Sequence, residues 1–228
     1  MSEKTSVIMC AFDNESWQRH ITLTALNCLR RFTNTEDYEL ILVDTGKNTG
    51  EGGPYNRWNI IKPDKWLKPG DIGFSAAMNL GVKESSPDTK YVVSMHNDVF
   101  VQEGWLPKLR KFLEEGRCEV IYPDQIARTR ENMKKIYAGK QPQGYDESGL
   151  QMMSKENYIK CGGWDEDFKS VYQDAAFISK KDNANLRMYC TTDTIITHLG
   201  SVTYAKYGEN KNIHKSNEAK ILRERYGK

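Results

Sequence analysis

The feature that most narrows the folds open to this chain is a repeated unit: a short apolar run, a polar residue that stops it, and a stretch with helical spacing. Ser6-Val7-Ile8-Met9-Cys10-Ala11 is the first run. Apolar side chains at both alternating positions describe a strand covered on both faces, as in a parallel sheet. From Ser16, a candidate N-cap, residues Ile21, Ala25, Leu26, Leu29 and Phe32 recur at helical spacing. The run Tyr38 to Val43 stops at Asp44, a Gly-rich loop continues through Gly50, and Arg57 to Ile61 reads as a third strand. Gly73-Phe74-Ser75 then opens a helix reaching about Glu84, and Tyr91 to Met95 forms a run that stops at His96-Asn97-Asp98. This alternation predicts an α/β domain with a mostly parallel central sheet flanked by helices, and ligands beyond the carboxyl ends of its strands. Asp44 and Asp98 both stand at such ends.

The second half is less periodic. The pattern predicts helices over Gly104 to Glu115, Tyr172 to Asn183 and Ser216 to Tyr226, and strands over Glu119 to Tyr122, Leu150 to Ser154, Leu186 to Thr191 and Thr194 to Thr197. Between them, Asp124 to Asp146 is polar and without a clear period. A length of 228 residues suits one domain spanning 1–228. A net charge of +2 neither demands nor excludes an anionic partner. No apolar run approaches the roughly 20 residues needed to cross a bilayer, and Met1-Ser2-Glu3-Lys4-Thr5 leads into a strand rather than a signal-peptide core. The expectation is a soluble, cytoplasmic protein. The five cysteines are scattered and form no Cys-x-x-Cys pair, so free thiols are expected rather than a disulfide framework or thiolate zinc site.

Several residues carry chemistry in this pattern. Asn97 and Asp98, fixed by the strand they end, can reach a divalent ion held by phosphate oxygens, although the same pair also reads as an ordinary turn. His96 adds a third polar group. Magnesium and manganese complete their shells with water and substrate phosphates, so one firm carboxylate can suffice. Asp44 reads either as a turn residue or as the acceptor for a base or sugar hydroxyl. Gly162-Gly163-Trp164-Asp165-Glu166-Asp167-Phe168, closely followed by Tyr172-Gln173-Asp174, sets acids among aromatics after a Gly-Gly turn, which suits a sugar pocket with a general base. His198, after Ile195-Ile196, is a candidate third metal ligand through its neutral imidazole. Arg128, Arg130, Lys134, Lys135 and Lys140, with Tyr137 and Tyr145 nearby, read as a solvated loop or as a basic, aromatic-dotted acceptor segment that would admit nucleic acid.

Taken in order, these pieces resemble glycosyltransferase family 2 enzymes with the GT-A fold, over roughly Ser6 to Gly227. The first strand, the second strand with Asp44, and Gly73-Phe74-Ser75-Ala76-Ala77-Met78-Asn79-Leu80-Gly81 are similar to the family's donor-side elements. Met95-His96-Asn97-Asp98-Val99 through Gly104-Trp105-Leu106 resembles its metal-binding strand end. Cys161 to Phe168 with Gln173-Asp174 resembles its acceptor-side elements, His198-Leu199-Gly200-Ser201 its late histidine motif, and Arg225-Tyr226-Gly227 its closing motif.

The resemblance implies inverting transfer from a nucleotide diphosphate sugar, with a UDP-sugar favoured, assisted by Mn2+ or Mg2+. It implies a nucleotide-sugar-binding half over about 1–115 and an acceptor-binding half over about 116–228. By the same resemblance Ala11, Phe12, Asp44, Gly73, Phe74, Asn79 and Asn97 would contact the donor, and Asp98 and His198 would hold the metal, with His96 beside them as a further candidate ligand. Asp174 would be the base, with Asp165 as runner-up, and Trp164 and Glu166 would meet the acceptor, a saccharide or a hydroxymethylated base in DNA; Arg128 and Arg130 join them as acceptor candidates on the basic composition of their segment. Departures from the family pattern are His96 in the first acidic place, Gln173 and Ala176 around the base, and Met78 where Arg is frequent. They leave a catalytically silent sugar-nucleotide or glycan-binding module as the competing class.

Overall fold

The computed structural model describes residues 4–12, 16–46, 62–127, 149–169, 171–200 and 210–227, the side chains of 16 and 210–216 excepted. Its elements follow the chain as β1 (Thr5–Ala11), α1 (Ser16–Phe32), β2 (Tyr38–Asp44), β3 (Lys65–Leu67), α2 (Phe74–Lys83), β4 (Tyr91–His96) and β5 (Val99–Phe100). There follow α3 (Trp105–Glu114), β6 (Val120–Ala127), β7 (Leu150–Ser154), α4 (Lys155–Lys160), α5 (Gln173–Asn183), β8 (Met188–His198) and α6 (Asn210–Tyr226).

The strands form one sheet in the order β3-β2-β1-β4-β7-β6-β8-β5. The first four run parallel, and the other half is mixed, with β7 antiparallel to β4 and β6, β8 parallel to β6, and β5 antiparallel to β8. Both faces of the parallel half are covered. Val7 and Met9 pack with Leu40, Leu42 and Val93 against Leu26 and Leu29 of α1 and Trp105 and Leu109 of α3. The alternate residues Ile8 and Cys10 pack with Ile41, Val43 and Val92 against Ala77 and Met78 of α2. Two buried faces are why these strands lack the apolar-polar alternation of a half-exposed sheet. Gly81 lets α2 lie close to β1, because a Cβ there would collide with the Ile8 side chain. Met78, which stands where the family pattern often has Arg, is wholly buried in this layer.

The expected third strand, 57–61, lies outside the described residues; the strand paired with β2 is the three-residue Lys65–Leu67, partly exposed and too short to leave a period. The two late strands expected separately are one strand, β8, whose residues between Thr191 and Ile195 loop out opposite the Pro123–Asp124 step of β6. Proline donates no ladder hydrogen bond, which suits the break in register. Among the described residues no helix is long and apolar enough to cross a membrane.

One topological fact positions the site. β5 begins only a tight turn after β4, yet it pairs with β8 at the far edge of the sheet, Val99 opposite His198. The sheet must therefore curl until the end of β8 returns to the end of β4.

Candidate metal centre and donor site

That curl brings together His96 at the end of β4, Asp98 in the β4–β5 turn and His198 at the end of β8. One ligand atom from each lies within 4.8 Å of the others. His198 Nε2 is 3.3 Å from Asp98 Oδ1, and both residues are buried. The other ring nitrogen, Nδ1, lies 3.3 Å from Gln125 Oε1 on β6, which orients the imidazole. His96 is wedged between the Phe74 ring, 4.7 Å away edge-on, and the His198 ring at 5.3 Å. Its Nε2 is buried and has no hydrogen-bond partner. Burial and the neighbouring His198 push the His96 pKa down to about 4, so the ring is neutral and its lone pair available near neutral pH. Burial opposes ionisation of Asp98, but the hydrogen bond and charge of His198, with His96, outweigh it and hold the carboxyl below its usual range. Two imidazoles, which ligate a cation through their neutral form, and an ionised carboxylate are a donor set that fits a divalent ion. Gly149 is part of the cradle, since a Cβ there would stand 2.8 Å from the His198 ring and 2.6 Å from Val99.

Asp44 ends β2 at the same edge of the sheet and is 2% exposed. Its Oδ1 accepts from the Gly46 N–H at 3.1 Å, while Oδ2 is buried without a hydrogen bond of ordinary geometry. Burial raises its pKa, against the pull of the Gly46 N–H, Trp66, Lys68 and Arg19. A buried, half-satisfied carboxylate is costly and is suited to a ligand donor. Ala11 at the end of β1 spends its carbonyl on Thr45, accepting from the backbone N–H at 2.8 Å and from Oγ1 at 3.1 Å, and Phe12 follows it, partly buried. Asn97 is pinned to α1, its Nδ2 donating to Thr22 Oγ1 at 2.8 Å.

Asn79, expected to contact the donor, makes its hydrogen bonds within the chain. Its Oδ1 accepts from Tyr158 Oη at 2.6 Å and from the Trp164 N–H at 2.9 Å, and its Nδ2 donates to the Trp164 carbonyl at 3.0 Å and Glu166 Oε1 at 2.7 Å. All four bonding directions of the amide are taken, so Asn79 brackets the Gly-Gly-Trp turn to α2. Gly163 permits the approach: its φ is +62°, and a Cβ would stand 2.7 Å from Asn79 Oδ1. Trp164 stacks on Phe177 of α5 at 4.6 Å and meets the edge of Phe74 at 5.1 Å. It is 2% exposed, which leaves little of it to meet an acceptor, whereas Glu166 is exposed.

The two candidate bases sit differently. Asp165 Oδ2 accepts from Arg225 Nη1 at 2.6 Å and from Tyr226 Oη at 2.7 Å. Burial opposes its ionisation, but these two partners outweigh it and hold the pKa low. Asp174 lies in the first turn of α5, partly exposed, one turn before the Phe177 that stacks on Trp164. The helix is entered through Tyr172 in the left-handed region at φ +55°, a conformation found for few non-glycine residues and concentrated at functional sites. Gly73, at φ +78°, opens α2 with Lys169 pressed against it. Arg128 and Arg130 lie outside the described residues. Sequence reasoning passed over Gln125, Thr22 and Gly149, which carry no motif of their own.

The sequence matches the model of glycosyl transferase family 2 over residues 6–165. No curated protein matches it. Among solved structures it is similar to S. aureus TarS 1-349, with TM-score 0.65 at 15% identity, covering 87% of this chain and 61% of that one. It is also similar to the same TarS fragment in complex with UDP, with TM-score 0.65 at 15% identity, covering 85% and 60%. This chain thus spans about three fifths of the TarS fragment. The likeness in structure carries the fold alone, as a GT-A domain. The sequence match extends over more than half of the chain and takes in both Asp44 and Asp98, and on that ground the chain belongs to glycosyl transferase family 2.

Proposed function

We propose that this chain moves a sugar from a UDP-sugar to an acceptor hydroxyl, inverting the anomeric carbon, as a cytoplasmic enzyme. The reading is carried by the His96, Asp98 and His198 cluster at the carboxyl end of the sheet, in a chain of this family. Asp44, buried with one oxygen unsatisfied, reads the base. That a structural relative, S. aureus TarS, was crystallised with UDP favours a uridine nucleotide. The free cysteines suit a reducing compartment.

Bound by His96, Asp98 and His198, Mn2+ or Mg2+ would neutralise charge growing on the departing diphosphate, and two imidazole donors favour manganese. Asp174 takes the proton from the acceptor hydroxyl. The hydroxyl oxygen bonds to the anomeric carbon as the bond from that carbon to the diphosphate oxygen breaks, and UDP leaves with the electron pair. Gly73 and Phe74 line the donor side, and Glu166 at the rim, beside Trp164, meets the acceptor. That acceptor is a saccharide in this reading; a hydroxymethylated base in DNA is the second class, to be met by Arg128 and Arg130.

The test is a thermal-shift screen of nucleotides and UDP-sugars with manganese, followed by an assay of UDP release. Stabilisation by UDP and release from one UDP-sugar support the reading. Stabilisation without release from any donor identifies a silent sugar-nucleotide-binding module, and no stabilisation by UDP overturns the uridine assignment.

A further inference from the structure

One face of α6 lies along the segment that links the Gly-Gly-Trp turn to α5. Glu218, Ile221, Leu222, Arg225 and Tyr226 fall at spacings of three and four, which is a single helix stripe. Glu218 is 4% exposed and accepts two backbone N–H bonds, from Lys169 at 3.2 Å and Val171 at 2.8 Å. Leu222 is buried with Phe168, Ala175 and Ala176, and Ile221 and Tyr226 pack beside them. At the other end of the stripe Arg225 spans two carboxylates, Asp165 and Asp167, each at 2.6 Å. The segment is thus held at both ends by charge and in the middle by apolar contact.

The held segment touches both parts of the candidate site. The Lys169 carbonyl accepts from the Phe74 N–H at 3.1 Å, and the Phe168 carbonyl from Ser75 Oγ at 2.7 Å. Phe74 in turn packs on His96. On the other side the segment runs into Tyr172, in its left-handed conformation, and then into Asp174. Backbone in that region persists only where its surroundings over-determine it, and the Glu218 bond to Val171 stands immediately before it.

We propose that α6 is a latch, and that Glu218 and Arg225 are positioning residues that set Asp174 for transfer while making no contribution to donor affinity. The proposal rests on the glycosyl-transfer reading for its kinetic consequence, though not for its structural one. A displacement of about 1 Å at a reacting group can cost up to roughly 100-fold in rate.

The experiment compares the full chain with Arg225→Gln, Glu218→Gln, Arg225→Lys and Tyr226→Phe. Three quantities are read: UDP affinity by calorimetry with manganese, kcat and KM for UDP release from the UDP-sugar that the chain accepts, and amide exchange by mass spectrometry. The latch predicts faster exchange at 166–176 in Arg225→Gln and Glu218→Gln, unchanged UDP affinity and donor KM, and kcat lower by about 10- to 100-fold. Partial recovery in Arg225→Lys, which keeps the charge, supports positioning over loss of fold. Where a glutamine variant fails to fold, Tyr226→Phe removes a single bond to Asp165 and is expected to show a smaller change of the same kind. Unchanged kcat with unchanged exchange in folded Arg225→Gln and Glu218→Gln overturns the latch and leaves the transfer reading standing. If wild-type protein binds no UDP, the transfer reading is what fails. Exchange then decides the latch alone: acceleration confined to 166–176 supports it, and none overturns it.

Discussion

His198 Nε2 and Asp98 Oδ1 stand 3.3 Å apart, one at the last residue of β8 and the other in the turn after β4. Val99, next to Asp98, pairs with His198 across the ladder, so the contact is built into strand register rather than left to a flexible loop. Gln125, from the neighbouring β6, reaches His198 from its other nitrogen. The three strands set the site before any ion arrives.

The first prediction concerns that support. Gln125→Leu removes the partner of His198 Nδ1 and should weaken manganese binding by about 10- to 100-fold, the usual cost of losing a group that orients a ligand. His198→Ala should lose more. Titration of manganese followed by electron paramagnetic resonance checks both, and equal affinity in His198→Ala and wild type would remove the histidine from the site.

Asp44→Ala should weaken UDP binding by about 1.5–3 kcal/mol, the value of a hydrogen bond to a charged group. Calorimetry with UDP is the check. The same variant relieves a buried carboxylate with an unsatisfied oxygen, so its melting temperature should not fall along with its affinity.

Asp174→Asn should lower turnover by about 10²- to 10⁴-fold at unchanged UDP affinity, as expected for loss of a general base. Asp165→Asn should lower stability, because Arg225 and Tyr226 both bond the lost charge, and should lower turnover by no more than the roughly 10- to 100-fold expected of the latch. Steady-state kinetics beside thermal melts separate the two; full turnover in Asp174→Asn with none in Asp165→Asn exchanges their roles.

Asn79→Ala leaves the Trp164 N–H and the Tyr158 hydroxyl without their acceptor. The expected loss of stability is about 1–3 kcal/mol, the range for stranding buried polar groups. Urea unfolding measures it. A value near zero would mean that water replaces the amide.

Glu39 supplies a pH dependence away from the site. Burial opposes its ionisation, but hydrogen bonds from Ser6, from the Ser86 hydroxyl and N–H, and from Thr89 outweigh burial and lower its pKa below 4.5. The folded value is the lower one, so its stabilisation is complete above the unfolded value and is lost as pH falls through the folded value. Glu39→Gln should be less stable at neutral pH, with the difference from wild type shrinking as the solution is made acidic. Melting curves across that range decide it.

Strands β1, β2 and β4 of the parallel half, and the placing of Asp44 and Asp98 at strand ends, were determined by the sequence alone. Strands covered on both faces and helices with one apolar stripe write their periods into consecutive residues, and strand ends are where those periods stop. The family resemblance was readable for the same reason, since its motifs are local. Tertiary structure decided what depends on distant pairings. Nothing near His198 announces that β5 will leave β4 and close the sheet against β8, and no period marks the three residues of β3. Asn79 shows the limit most plainly: its motif reads as donor contact, while its four hydrogen bonds go to Tyr158, Trp164 and Glu166, more than seventy positions along the chain. Asp165 reads as the second candidate base, and nothing near it in the sequence shows that Arg225 and Tyr226 of α6 bond it. An amide or a carboxylate can serve a ligand or a neighbour with the same atoms, and only the fold determines which one reaches it first.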